Sequence, residues 1–206
     1  MSAQAWEGPL LAAAMLLLSG CAGLGLAARQ PPWRTRPIEA ARWCAGSGGY
    51  MLLLVLVVRG LQAQDWPLAS TYEAVLLTAA TMTLFYAFGA PERSRAAGAF
   101  LAGLGATVLV IAALLLTPAG ARAPQAAPML LRGLWFPSHI IATALGYGGL
   151  VLAGLAGLGR LLVRAGTEQG RGSVLCKDEL ESLAWRGLAW GYPWLTAGML
   201  LGAVWG

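Results

Sequence analysis

The chain contains a single histidine, His139. A neutral imidazole can offer one ring nitrogen to a metal, such as an iron already held in a haem. With one histidine, the chain alone builds neither a two-histidine metal site nor a pair of histidine haem ligands. No Ser-His-Asp set stands at readable spacing. No glycine-rich phosphate loop and no metal-ligand cluster can be read. Cys21, Cys44 and Cys176 share no short spacing and form no C-x-x-C motif. They read as small residues packed within or beside helices. Chemistry on this chain therefore uses little protein machinery, or another chain supplies the rest.

His139 follows Trp135, Phe136 and Pro137, an aromatic setting typical of a membrane interface. It could hold a haem iron there. On position alone, a histidine hydrogen-bonded to water or backbone is the simpler reading. Glu73 lies after Pro67 and Tyr72, about one turn into an apolar run. A carboxylate at that depth is costly unless it faces a wet cavity or a partner. It could organise an outer cavity or pair with Arg59. Equally, it could be a helix-start carboxylate near the positive end of the helix dipole.

The elements that position these residues follow from composition. The 206 residues are 58% apolar and only 11% charged, with 28 glycines besides and a mean hydropathy of +0.65. Soluble domains carry about 25% charged residues. An ordinary soluble domain, a disordered chain and a nucleic-acid module built on a basic surface are excluded. A spanning helix with its loop takes roughly 30 residues, so about six spans fit. Six apolar stretches can be read, at about 9–28, 43–61, 68–88, 96–116, 137–163 and 188–205. They do not alternate as barrel strands would, so they read as helices. The expected fold is all-α: a polytopic bundle of about six transmembrane helices forming one integral membrane domain over 1–206.

Eleven of the 14 Lys and Arg residues fall in 29–42, 89–95 and 160–186. Arg59, Arg122 and Arg132 fall on the other side. Basic loops stay in the cytoplasm, so both termini and the 59–67 and 118–136 loops are expected outside. Leu18-Ser19-Gly20-Cys21 looks like a lipoprotein cleavage box. No Lys or Arg precedes it, so a first transmembrane helix is expected instead. Trp6, Trp66, Trp135 and Trp205 fall on the outer side, and Trp33, Trp43 and Trp185 on the inner side. Two interfacial belts explain most of them. A flat apolar cofactor could also stack on the outer set. Gly187, Gly191, Gly198 and Gly202 form two G-x-x-x-G spacings, a sign of close helix packing.

Three stretches together resemble the CcsA/ResC family of cytochrome c assembly proteins. The first runs from Trp66-Pro67-Leu68 to Ser70-Thr71-Tyr72-Glu73-Ala74. The second is Leu134-Trp135-Phe136-Pro137-Ser138-His139-Ile140, followed by Leu145-Gly146-Tyr147. The third and most specific is Gly191-Tyr192-Pro193-Trp194-Leu195-Thr196-Ala197-Gly198, followed by Gly202-Ala203-Val204-Trp205.

The resemblance implies a haem-handling component of a System II complex in the bacterial cytoplasmic membrane, with its haem site facing outside. Haem b would be held transiently and presented to apocytochrome c. Partners would be a CcsB/ResB-like membrane protein and membrane lipid, with no nucleic acid. His139 matches the first of two external axial ligands. Trp135 and Trp205 would lie near the haem edge, with Tyr72 and Glu73 shaping the outer side of the cavity. The family's external tryptophan-rich segment and its second external histidine lie beyond the matched part. A second ligand would come from further sequence or a partner, and ligase activity is not expected of the isolated chain. The alternative is a HemX-like scaffold regulating tetrapyrrole synthesis without its own haem. That reading expects a cytoplasmic partner at 160–186, where Lys177-Asp178-Glu179-Leu180-Glu181 could be a short interfacial helix or a solvated loop.

Overall fold

The computed structural model describes residues 4–28, 35–124, 133–165 and 176–205. Its six long helices are α1 (Gln4–Ala27), α2 (Thr35–Ala63), α3 (Thr71–Gly89), α4 (Arg95–Leu116), α5 (Trp135–Ala165) and α6 (Lys177–Trp205). Short 3-10 turns at Glu92–Ser94 and Ala119–Arg122 flank α4. There are no strands among the described residues. The expected helical bundle is what forms.

Five helices are long and apolar enough to cross a membrane, namely α1 to α5. The sixth is as long but does not reach the same apolarity, because Trp190-Gly191-Tyr192-Pro193-Trp194 interrupts its aliphatic run. Two helices start earlier than hydropathy suggests. α2 takes in Arg36 and Arg42, and α6 takes in 177–187. The Lys177–Glu181 stretch is thus neither a separate interfacial helix nor a loop. Leu180 and Leu183 are fully buried one turn apart, which draws these residues into the packed helix. The Ser94 hydroxyl donates to the Glu179 carbonyl at 2.8 Å, and Arg160 pairs with Glu181 at 3.0 Å.

α3 is the centre of the bundle. Leu76, Ala79, Ala80, Met82, Thr83 and Tyr86 are buried along it, against α2, α4 and α5. α1 packs on α2 and α4. A Cβ at Gly103 of α4 would lie 2.6 Å from the Leu18 carbonyl oxygen, so only glycine allows that approach. Cys21 is buried within the unbroken α1, its thiol facing the Ala99 carbonyl at 3.3 Å. α6 packs mainly on α5. There the two backbones touch: a Cβ at Gly187 would meet the Gly149 carbonyl oxygen at 2.6 Å, and one at Gly191 the Gly146 carbonyl oxygen at 2.7 Å. With no hydrophobic drive between helices in lipid, such close van der Waals contact is what associates them.

The two ends of the bundle differ in their polar chemistry. At the end rich in basic residues, Arg42 and Arg186 donate to the Ala87 and Gly89 carbonyls at the C-terminus of α3. Arg95 pairs with Glu39 and Glu92 there. The opposite end, called the outer end below, is held by Arg59. Its Nε donates to Glu73 at 3.0 Å, its Nη1 to Glu7 at 2.9 Å and its Nη2 to the Arg122 carbonyl at 2.6 Å. The guanidinium also lies over the Tyr72 ring, 4.9 Å from its centroid, and the Tyr72 hydroxyl donates to Glu7 at 3.3 Å. One side chain thereby ties α1, α2, α3 and the turn after α4. Glu73 has a second task. With Ser70 it forms a capping box at the start of α3, each side chain accepting from the other's backbone N–H.

Two stability predictions follow from this packing. Glu73→Gln keeps an acceptor for the cap but leaves Arg59 with one carboxylate fewer. Breaking a buried pair costs about 3–5 kcal/mol. The thermal midpoint in detergent should fall sharply for Glu73→Gln, and further for Glu73→Ala, which also removes the cap. At the α5–α6 contact, Gly191→Val should cost about 1–3 kcal/mol by overpacking. Gly154→Ala, where a Cβ meets nothing within 4 Å, should leave the midpoint unchanged in the same assay.

Candidate functional site

The site begins with the first turns of α5. Trp135 opens the helix and Pro137 sits third, where the missing N–H needs no intrahelical partner. Ser138 donates its hydroxyl to the Leu134 carbonyl at 2.6 Å. His139 is the fifth residue of the helix and half-buried. Its ring turns toward α6.

Two contacts fix that ring. Its Nδ1 lies 2.6 Å from the Gly198 carbonyl oxygen. Gly202 flanks the ring, and a Cβ there would come within 2.9 Å of Cε1 and Nδ1. One turn along α5, Thr143 repeats the pattern. Its methyl occupies the space over Gly198, where a Cβ would meet Cγ2 at 2.5 Å. Its hydroxyl donates back to the His139 and Ile140 carbonyls, both at 2.9 Å. The pair His139/Thr143 on one helix thus fits the pair Gly198/Gly202 on the other.

A carbonyl oxygen only accepts, so this contact is a hydrogen bond when Nδ1 carries the proton. Nε2 then holds the free lone pair. A ligating histidine usually makes this arrangement, donating one ring N–H to a backbone carbonyl or carboxylate and binding the metal through the other nitrogen. Among the described residues, no group of three or more His, Cys, Asp or Glu could hold a metal ion. A lone imidazole of this kind could give one ligand to an iron whose other ligands come from elsewhere, as in a haem.

The remaining sequence candidates fall in different places. Trp135 is 53% exposed, one turn from His139 toward the outer end. Trp205 ends α6 three residues after Gly202, and its side chain lies outside the described residues. Tyr72 and Glu73 are buried in the Arg59 cluster. No hydrogen bond or ion pair among the described residues links them to His139. Tyr72 does line an outer recess of about 450 Å³, together with Glu7, Leu11, Leu114 and Arg122. A larger apolar groove of about 610 Å³ runs along Leu53, Leu56, Val57 and Leu61 of α2 to Ile141 of α5. Ile141 is two residues from His139, about 200° around the helix. The groove and the imidazole therefore occupy opposite faces of α5.

Sequence reasoning missed two parts of this arrangement. Glu7 and the Arg122 carbonyl complete the coordination of Arg59, and no spacing signals either. Gly198 and Gly202 were read as ordinary close packing. Their match in spacing to His139 and Thr143, four residues apart on the facing helix, was the available signal.

A family model described as cytochrome C assembly protein matches residues 68–206. A cytochrome c biogenesis protein CcsA from Chlamydomonas reinhardtii is 26% identical over 176 residues, covering 82% of this chain and 49% of that protein. The chain spans about half the length of that relative. The matched region takes in the capping box of α3, the histidine of α5 and the glycine seat of α6. With five membrane-crossing helices and two thirds of its length inside the family match, the chain is an integral membrane protein of the cytochrome c assembly family.

Proposed function

We propose that this chain is a haem-handling component of a System II type cytochrome c assembly complex, presenting haem b at the outer face of a bacterial cytoplasmic membrane. The observation that carries the reading is the 2.6 Å contact between His139 Nδ1 and the Gly198 carbonyl, which supports Nε2 as the ligating atom. The family match supplies the context in which a lone, oriented imidazole has a use.

The chain's own residues do three things in this reading. His139 would hold the haem iron through Nε2, near the outer end of α5. Gly198 and Gly202 keep the imidazole from rotating. Trp135 and Trp205 would border the haem edge, where an indole face can stack on a flat apolar ring. Tyr72 and Glu73 act at a distance, by keeping the outer ends of α1, α2 and α3 together around Arg59. Haem supplies the vinyl groups to which cysteine thiols of apocytochrome c add, each S–H crossing one double bond to give a thioether. A second histidine ligand would come from a CcsB/ResB-like partner or further sequence, since this chain has no other histidine.

The test is assembly of a reporter cytochrome c in cells lacking their own pathway, with the membrane partner co-expressed. His139→Ala should reduce the holocytochrome to background, and added imidazole should restore it by filling the vacated axial position. Wild-type yield from the alanine variant without imidazole would overturn the ligand assignment and leave a haem-free scaffold as the better reading.

A further inference from the structure

We propose that Gly202 and the Gly198 carbonyl are positioning residues that lock His139 in its Nδ1-protonated tautomer before any ligand arrives. The proposal deepens the haem reading and rests on it for the identity of the ligand, but the lock itself exists without haem.

Free imidazole exchanges its proton between two nitrogens, and only the nitrogen without a proton can bind a metal. A site that leaves this open wastes part of its population on the wrong tautomer. Here the choice is made by α6. The Gly198 oxygen accepts from Nδ1 at 2.6 Å. The ring can reach it only because position 202 carries no side chain, since a Cβ would sit 2.9 Å from both Cε1 and Nδ1. That contact is closer than a carbon tolerates, and the imidazole is rigid. A larger residue at 202 forces a shift at this contact, and where the ring gives way the hydrogen bond is lost and Nε2 is redirected. Thr143 adds a second restraint. Its methyl fills the space over Gly198, and its hydroxyl is already committed to α5 carbonyls. It therefore does not compete for Nδ1.

The two glycine pairs of α6 thus differ in role. Gly187 and Gly191 admit the α5 backbone, through the carbonyls of Gly149 and Gly146. Gly198 and Gly202 admit side chains, and one of those side chains is the only histidine in the protein.

That single histidine makes the test direct. The full chain is purified without a histidine tag, labelled with ¹⁵N-histidine and placed in lipid nanodiscs free of haem. Nitrogen NMR then reports one imidazole. The expected spectrum, recorded at a pH where the imidazole is uncharged, shows a protonated Nδ1 and an unprotonated Nε2. Gly202→Ala should lose this signature and show exchange between tautomers, whereas Gly154→Ala should keep it. A wild-type ring protonated on Nε2 would overturn the proposal, as would a folded Gly202→Ala with an unchanged spectrum. Should Gly202→Ala fail to fold, the wild-type spectrum still decides. A locked Nδ1 tautomer combined with an assembly-competent His139→Ala would retain the seat and sink the haem reading.

Discussion

The functional geometry depends on how closely α5 and α6 approach. Their backbones meet at Gly149 against Gly187 and Gly146 against Gly191, with no side chain between them. Only at that distance can a main-chain carbonyl on α6 reach a side chain rooted on α5. The Gly198 oxygen then meets His139 Nδ1 one turn beyond Thr143, and Gly202 leaves room for the ring. Small residues bring membrane helices together. Here the same property sets the orientation of a polar group.

The other outer-end constraint is electrostatic. A guanidinium buried within a bundle has to be neutralised and fully hydrogen-bonded. Arg59 achieves this with two carboxylates, a carbonyl and an aromatic face drawn from three other segments. Those groups must be in place together, so the cluster fixes the outer ends of the first three helices and the turn after α4. α5 packs on α3, and α6 on α5. The Arg59 cluster thus steadies the scaffold while the glycine contact aims the imidazole. The division suits the haem-holding role proposed above.

Much of this was legible in the residues themselves. Hydropathy placed five of the spans, and Arg59 and Arg122, read as lying at one end of the bundle, meet there. The possible Arg59–Glu73 pair and the helix-start role of Glu73 are both present in one residue. Two element starts were not legible. α2 and α6 begin in polar sequence, where Arg42 reaches the end of α3 and Leu180 is buried by tertiary packing rather than by any apolar run. The apolarity of α6 was overread, because its aromatic and proline-containing stretch is amphipathic in chemistry though helical in shape. The seat of His139 was hidden for a different reason. A glycine's meaning depends on what faces it, and a single sequence does not show which helix lies opposite.

The most direct measurement of the central claim is nitrogen hyperfine spectroscopy on the haem-loaded assembly, with ¹⁵N-histidine in this chain alone and unlabelled partner. The account predicts a strongly coupled ¹⁵N on ferric iron from His139 Nε2 and a weakly coupled remote ¹⁵N from Nδ1. A haem-loaded complex without labelled nitrogen coupled to the iron would contradict it.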